Sequence, residues 1–79
     1  MGKKAKQNDI RDRFGFAIKS RREELGLTQE DLADSAGIHR TYLSDVERGS
    51  RNICLLNIER MAAALKIKLS KLFEVIEQG

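Results

Sequence analysis

The run Arg40-Thr41-Tyr42-Leu43-Ser44-Asp45-Val46-Glu47-Arg48 carries guanidinium, hydroxyl and carboxylate groups at spacings that matter if the run is helical. Each helical residue turns the chain by about 100°, so Arg40, Thr41, Ser44, Asp45 and Arg48 share an arc of roughly 140°, with Leu43 and Val46 on the opposite side. Arginine can grip O6 and N7 of guanine with two hydrogen bonds, a small hydroxyl can meet several base edges, and a carboxylate can accept from the amino group of cytosine. A helix also fits a major groove about 12 Å wide. The chemistry implied is non-covalent reading of double-stranded DNA. Asp45 has three open roles: accepting from cytosine, orienting Arg40 or Arg48, or repelling wrong partners.

A solvated amphipathic helix would show the same polar face, so the residues that must position it decide the reading. Thr28 caps a helix with Glu30 and Asp31 in its first turn, where acids suit the positive helix end. Leu32, Ala33 and Ala36 face inward, and Gly37 supplies the positive φ of a tight turn. Two helices joined by so short a turn cross steeply, and Ala33 is the small residue their close approach needs. Leu32, Ala36, Ile38, Leu43 and Val46 supply the apolar contacts. The set, in register, predicts a helix-turn-helix over Gln29–Val46, with the second helix running from about His39 to Arg48 and stopping at Gly49.

Around this unit the spacing predicts three more helices. Asp9 caps the first, with Ile10, Phe14, Ala17, Ile18 and Leu25 on one stripe and Gly26 at its end. After a loop over residues 50–54, a fourth places Leu55, Ile58, Met61, Ala62 and Leu65 on one side. Ser70 caps a fifth that ends near Gln78. The predicted fold is all-α, with five helices and no internal repeat.

At 79 residues with no proline and a single cysteine, the chain forms one domain with a modest core and no disulfide. A second copy is a plausible source of stability. Leu69, Leu72, Phe73, Val75 and Ile76 are too many apolar residues for one face of a short helix, which predicts a homodimer interface there. A two-fold dimer would set its recognition helices about 34 Å apart, one turn of DNA, and would ask for a near-palindromic operator. Residues 1–7 carry three lysines and no acid, and read as a solvated tail or an arm on phosphate; residues 8–79 form the single helix-turn-helix domain.

The formal net charge of +3 is a mild bias that identifies no partner. No apolar run approaches the ~20 residues of a membrane span. No secretory signal follows the basic start, and Lys6 stands where a myristoylation signal needs Ser or Thr. With one cysteine the chain suits a reducing compartment, so a soluble cytoplasmic protein is expected. His39 lacks a metal-ligand partner at useful spacing. Cys54 lacks a resolving cysteine and reads as a small, partly buried residue at the start of the fourth helix. No phosphate loop or Ser–His–acid arrangement appears, and Glu23-Glu24 and Glu30-Asp31 are explained by solvation or capping. Neither a cofactor, a metal nor an enzymatic activity is expected.

Thr28-Gln29-Glu30-Asp31-Leu32-Ala33, Gly37-Ile38 and Leu43-Ser44-Asp45-Val46-Glu47-Arg48-Gly49 resemble the Cro and repressor type of helix-turn-helix domain, over about residues 10–77. That likeness implies a five-helix lambda-repressor-like fold. More narrowly, His39 to Ser44 and Glu47 to Ile53 look like the controller proteins of restriction–modification systems. Those are small dimeric regulators of their own gene and the endonuclease gene, activating at low concentration and repressing at high. The resemblance implies that Gln29 touches phosphate and steadies the recognition helix, that Arg40 and Thr41 read bases, and that Tyr42 and Ser44 touch backbone or bases. It implies loop contacts from Ser50, Arg51 and Asn52 to the DNA backbone or groove edge, with Arg48 beside them, and an intramolecular ion pair between Arg22 and Glu47. RNA polymerase is a further partner it suggests. His39 departs from the serine, threonine or aspartate that caps this helix in many relatives. A phage-type repressor or an antitoxin would share the fold. From another class, a protein-interaction module could use it as scaffold, although Arg40, Arg48 and Arg51 clustered on the reading side speak against that.

Overall fold

The structure is a computed structural model and describes residues 9–78, so the basic tail expected over residues 1–7 lies outside the described residues. Five helices follow in order: α1 (Ile10–Glu24), α2 (Gln29–Ala36), α3 (Arg40–Glu47), α4 (Leu55–Ala64) and α5 (Leu69–Gln78). Among the described residues the all-α, five-helix expectation holds. α2 and α3 pack on each other, α1 lies against α3 and α5, and α4 lies against α2 and α5.

The helix starts obey local chemistry. Asp9 accepts from the Arg11 N–H at 2.8 Å, and the Arg11 guanidinium bonded to the same carboxyl draws its pKa down to about 2. Thr28 and Asp31 form a reciprocal capping box, each side chain accepting from the other's backbone N–H at 3.0 Å. These hydrogen bonds hold the Asp31 carboxyl below its ordinary 3.8. The stabilisation linked to Asp31 is therefore present at neutral pH and lost as pH falls from that value through the lowered one. Replacing Thr28 by alanine is expected to cost about 1 kcal/mol, seen as a lower urea midpoint at unchanged m-value.

Four helix ends share one device. After α1, α2, α3 and α4 a residue takes positive φ: Gly26, Gly37, Gly49 and Lys66. The next N–H then donates to a carbonyl of the preceding turn: Leu27 to Arg22, Ile38 to Ala33, Ser50 to Asp45 and Ile67 to Ala62, at 3.0–3.1 Å. Nothing lies within 4 Å of a Cβ placed on Gly37, so its requirement is conformational. The end of α4 is also tied to α1, because Arg21 donates to the Leu65 and Lys66 carbonyls at 3.0 and 3.2 Å.

The core joins Phe14, Ala17 and Ile18 of α1 to Leu32, Ala33 and Ala36 of α2, Leu43 and Val46 of α3, Met61 and Ala62 of α4, Leu65, and Leu72 and Ile76 of α5. Gly15 belongs to the same buried face. A Cβ there would collide with the Val46 carbonyl oxygen and stand 2.8 Å from that of Glu47, so α1 crosses the end of α3 at backbone distance.

Several expected positions differ. Ile10 and Leu25, assigned to the inward stripe of α1, are exposed at the two ends of that segment, and Leu55 is 76% exposed at the first residue of α4. Cys54 is exposed rather than partly buried. α5 begins at Leu69, so Ser70 sits inside its first turn instead of capping it. Leu72 and Ile76 are each 1% exposed, filling this chain's own core, and leave the expected dimer surface. Of that set, Leu69 and Val75 remain exposed and Phe73 half-buried.

Candidate nucleic-acid interface

The recognition helix α3 is held from beneath and from one end. Leu43 and Val46 are fully buried. At its C-terminal end Glu47 takes a bidentate grip from Arg22, with Nε to Oε2 at 2.8 Å and Nη2 to Oε1 at 3.0 Å. Their side chains are only 11% and 4% exposed for Arg22 and Glu47. The Glu47 hydrogen bonds hold the Arg22 guanidinium above its ordinary pKa, against the opposing effect of partial burial. Arg22 also donates to the Leu27 carbonyl at 2.9 Å, and Gln29 Nε2 donates to Glu47 Oε1 at 3.0 Å. The expected ion pair is present, and Gln29 joins it through Glu47.

The opposite face of α3 is open. The Arg40 and Thr41 side chains are exposed, with no hydrogen bond or ion pair to the described residues. His39 takes the N-cap backbone geometry but forms no side-chain cap, so its departure from the capping residues has a visible consequence. Further along, the polar groups engage one another. Arg48 donates to the Ser44 hydroxyl at 2.8 Å and to Asp45 Oδ1. Arg51 Nε reaches Asp45 Oδ2 at 3.3 Å, while its guanidinium lies 5.0 Å from the centroid of the Tyr42 ring. Ser50 donates from both its N–H and its hydroxyl to the Asp45 carbonyl, at 3.0 and 3.1 Å, closing the end of α3. Asn52 is exposed in the following loop.

Of the sequence-predicted residues, Tyr42, Ser44, Asp45, Arg48, Ser50 and Arg51 thus come together around the end of α3. Two contributors were not anticipated. Asn57 of α4 donates to the Tyr42 hydroxyl at 3.2 Å, fixing the ring on which Arg51 rests. Arg60, also on α4, lines the shallow groove beside α3 with His39, Thr41, Tyr42, Arg51 and Asn57. Neither carried a signal, standing ten or more residues beyond the end of α3; only the packing of α4 brings them there. Among the described residues, no three or more His, Cys, Asp or Glu side chains are grouped to hold a metal, and no helix is long and apolar enough to cross a membrane.

A helix-turn-helix family model matches residues 18–72, from the middle of α1 into α5. This chain belongs to the helix-turn-helix family. The helix-turn-helix chain is similar to control protein C.MunI of a Mycoplasma species, 46% identical over 72 residues that span 90% of this chain and 97% of that protein. Control protein C.BamHI of Bacillus amyloliquefaciens is 41% identical over 73 residues, covering 91% of this chain and 90% of its own length. A solved structure of the restriction–modification controller protein C.Esp1396I, a tetramer in complex with its natural 35 base-pair operator, superposes with a TM-score of 0.83 at 36% identity, covering 89% of this chain and 92% of that one. The expected kinship with controller proteins holds.

Proposed function

We propose that this chain is a sequence-specific transcriptional regulator that binds double-stranded DNA, the controller protein of a restriction–modification system. The observation that carries the reading is the two-sidedness of α3: Leu43 and Val46 fully buried, Arg40 and Thr41 exposed and unpartnered among the described residues. Its likeness to a controller solved on its operator supports the same reading. Arg40, Thr41 and Ser44 read base edges; Gln29, Tyr42, Arg48, Ser50, Arg51 and Asn52 meet the backbone or groove edge. The protein acts in the cytoplasm as a homodimer on a near-palindromic operator, with Leu69, Phe73 and Val75 of α5 at the subunit contact, and it is not an enzyme. It tunes its own gene and the endonuclease gene, with RNA polymerase as the partner in activation. Residues 8–79 act as one domain, with residues 1–7 as its basic tail.

The test is binding to duplexes selected from a random-sequence pool, and to their single-base variants. Arg40→Ala is expected to cost about 1–3 kcal/mol at one base position and to relax specificity there. Arg51→Ala is expected to weaken all duplexes together and to flatten the salt dependence. Equal losses on every sequence for Arg40→Ala would remove it from the reading role. No binding to any duplex at low salt would leave a protein-interaction module as the better description.

A further inference from the structure

On the exposed side of α3 one acid sits among the groups assigned to DNA, and both of its oxygens are in use. Asp45 Oδ1 accepts from Arg48 and Oδ2 from Arg51, while its own side chain is 21% exposed against 62% and 48% for the two arginines. Each arginine has a further partner, Arg48 the Ser44 hydroxyl and Arg51 the Tyr42 ring. A single carboxylate thus fastens two cations that stand at the helix end and in the loop after it. A residue that only reads cytosine would need no guanidinium partner; this one is placed between two.

We propose that Asp45 acts as a counter-charge, restraining Arg48 and Arg51 so that DNA of every sequence is bound more weakly and arbitrary DNA is bound poorly. This rests on the DNA-binding reading above. Phosphate oxygens must compete with the Asp45 carboxylate for both arginines, and the carboxylate itself faces a polyanion. Every complex carries that cost, whatever its sequence. A duplex that also satisfies Arg40 and Thr41 still binds despite that cost, whereas arbitrary DNA, held by the backbone contacts alone, falls to low occupancy; the ratio between the two affinities is unchanged. Asp45 is a positioning residue here, acting through its arginines instead of through a base.

The experiment uses the full chain, Asp45→Asn and wild type, on two probes: a duplex selected by the wild-type protein, and a scrambled duplex of equal length and composition. Dissociation constants are measured between 50 and 200 mM salt. Removing the charge at constant shape is expected to tighten scrambled-duplex binding about fivefold or more and to steepen its salt slope by roughly one. The selected duplex is expected to gain by a similar factor, leaving the ratio between the probes about the same. In an Arg48→Gln/Arg51→Gln background the same Asp45→Asn change is expected to lose most of its effect, a result that a purely structural role would not produce. Thermal melting of each variant, with Asp45→Ser as a second substitution, separates altered binding from altered folding.

Scrambled-duplex affinity and slope that stay at wild-type values overturn the proposal. If that outcome accompanies loss on the selected duplex confined to one C·G pair, Asp45 reads a base directly. Wild-type protein that binds neither duplex overturns the underlying functional reading, a failure visible before any Asp45 variant is made.

Discussion

Gly15→Ala is expected to destabilise the domain by about 3 kcal/mol, lowering its melting temperature by roughly 12–24 °C. Two effects oppose each other at this position, and their sizes decide the sign. Alanine is the better helix former by about 1 kcal/mol, which alone would stabilise α1. The added methyl, however, would collide with the Val46 carbonyl oxygen and stand 2.8 Å from the Glu47 carbonyl oxygen. Those are backbone atoms of α3, so no side chain can swing aside, and the two helices must separate. Overpacking of this kind costs about 1–3 kcal/mol, and more where backbone has to move. The same separation would tilt the reading helix, so DNA affinity should fall even where the variant remains folded. Ser20→Ala, on the exposed side of α1, serves as the reference and should stay within about 0.5 kcal/mol of the parent. A Gly15→Ala protein that melts at or above the parental temperature would mean α1 stands farther from α3 than described.

Glu47→Ala should cost about 3–5 kcal/mol, because it strands a largely buried guanidinium. Arg22 would keep its hydrogen bond to the Leu27 carbonyl and lose both contacts to the carboxylate, and Gln29 would lose its partner as well. Glu47→Gln should fall between the two, retaining an acceptor for Arg22 and losing the charge. The pair is not a simple source of stability, since burying two ions offsets much of their attraction. Replacing both together, Arg22→Met with Glu47→Leu, should therefore recover most of what the single change loses. Urea unfolding of the four proteins measures this directly. A Glu47→Ala variant within about 1 kcal/mol of wild type would show that the pair does not brace α3.

The helix-turn-helix was legible because its constraints are local. A short turn fixes the crossing of α2 and α3, so Gly37, Ala33 and the inward Leu32, Ala36, Leu43 and Val46 could be assigned from spacing alone. Gly15 was not, because what crowds it arrives from α3 and nothing near it in sequence announces the approach. The partners of Asp45 were not legible either, because only the turn at Gly49 brings Arg51 back beside it. The apolar surplus of α5 was visible, but its division was not. Which residues face inward depends on where α1 and α4 lie, and they claim Leu72 and Ile76. Two helix boundaries lacked an accurate signal. Lys66 takes a left-handed conformation that glycine usually advertises, and Ser70, a good capping type, falls one position inside the helix it was expected to start. At the N-termini of α1 and α4 the apolar stripe extended one residue too far, because periodicity describes direction and cannot say whether a neighbour is present to cover Ile10 or Leu55.

The recurring closure of four helix ends bears on how fast a newly made chain becomes useful. Each reversal is pinned by a hydrogen bond between residues five apart, so little loop-closure entropy is lost before the turn exists. Helix pairs can assemble with their turns ahead of the long-range crossing of α1 over α3. Domains with contacts this local fold within about microseconds to milliseconds. Under the dimeric DNA-binding function proposed above, folding is then quicker than the meeting of two subunits, so pairing and not folding sets the delay between translation and binding, and the clock kept is one of concentration.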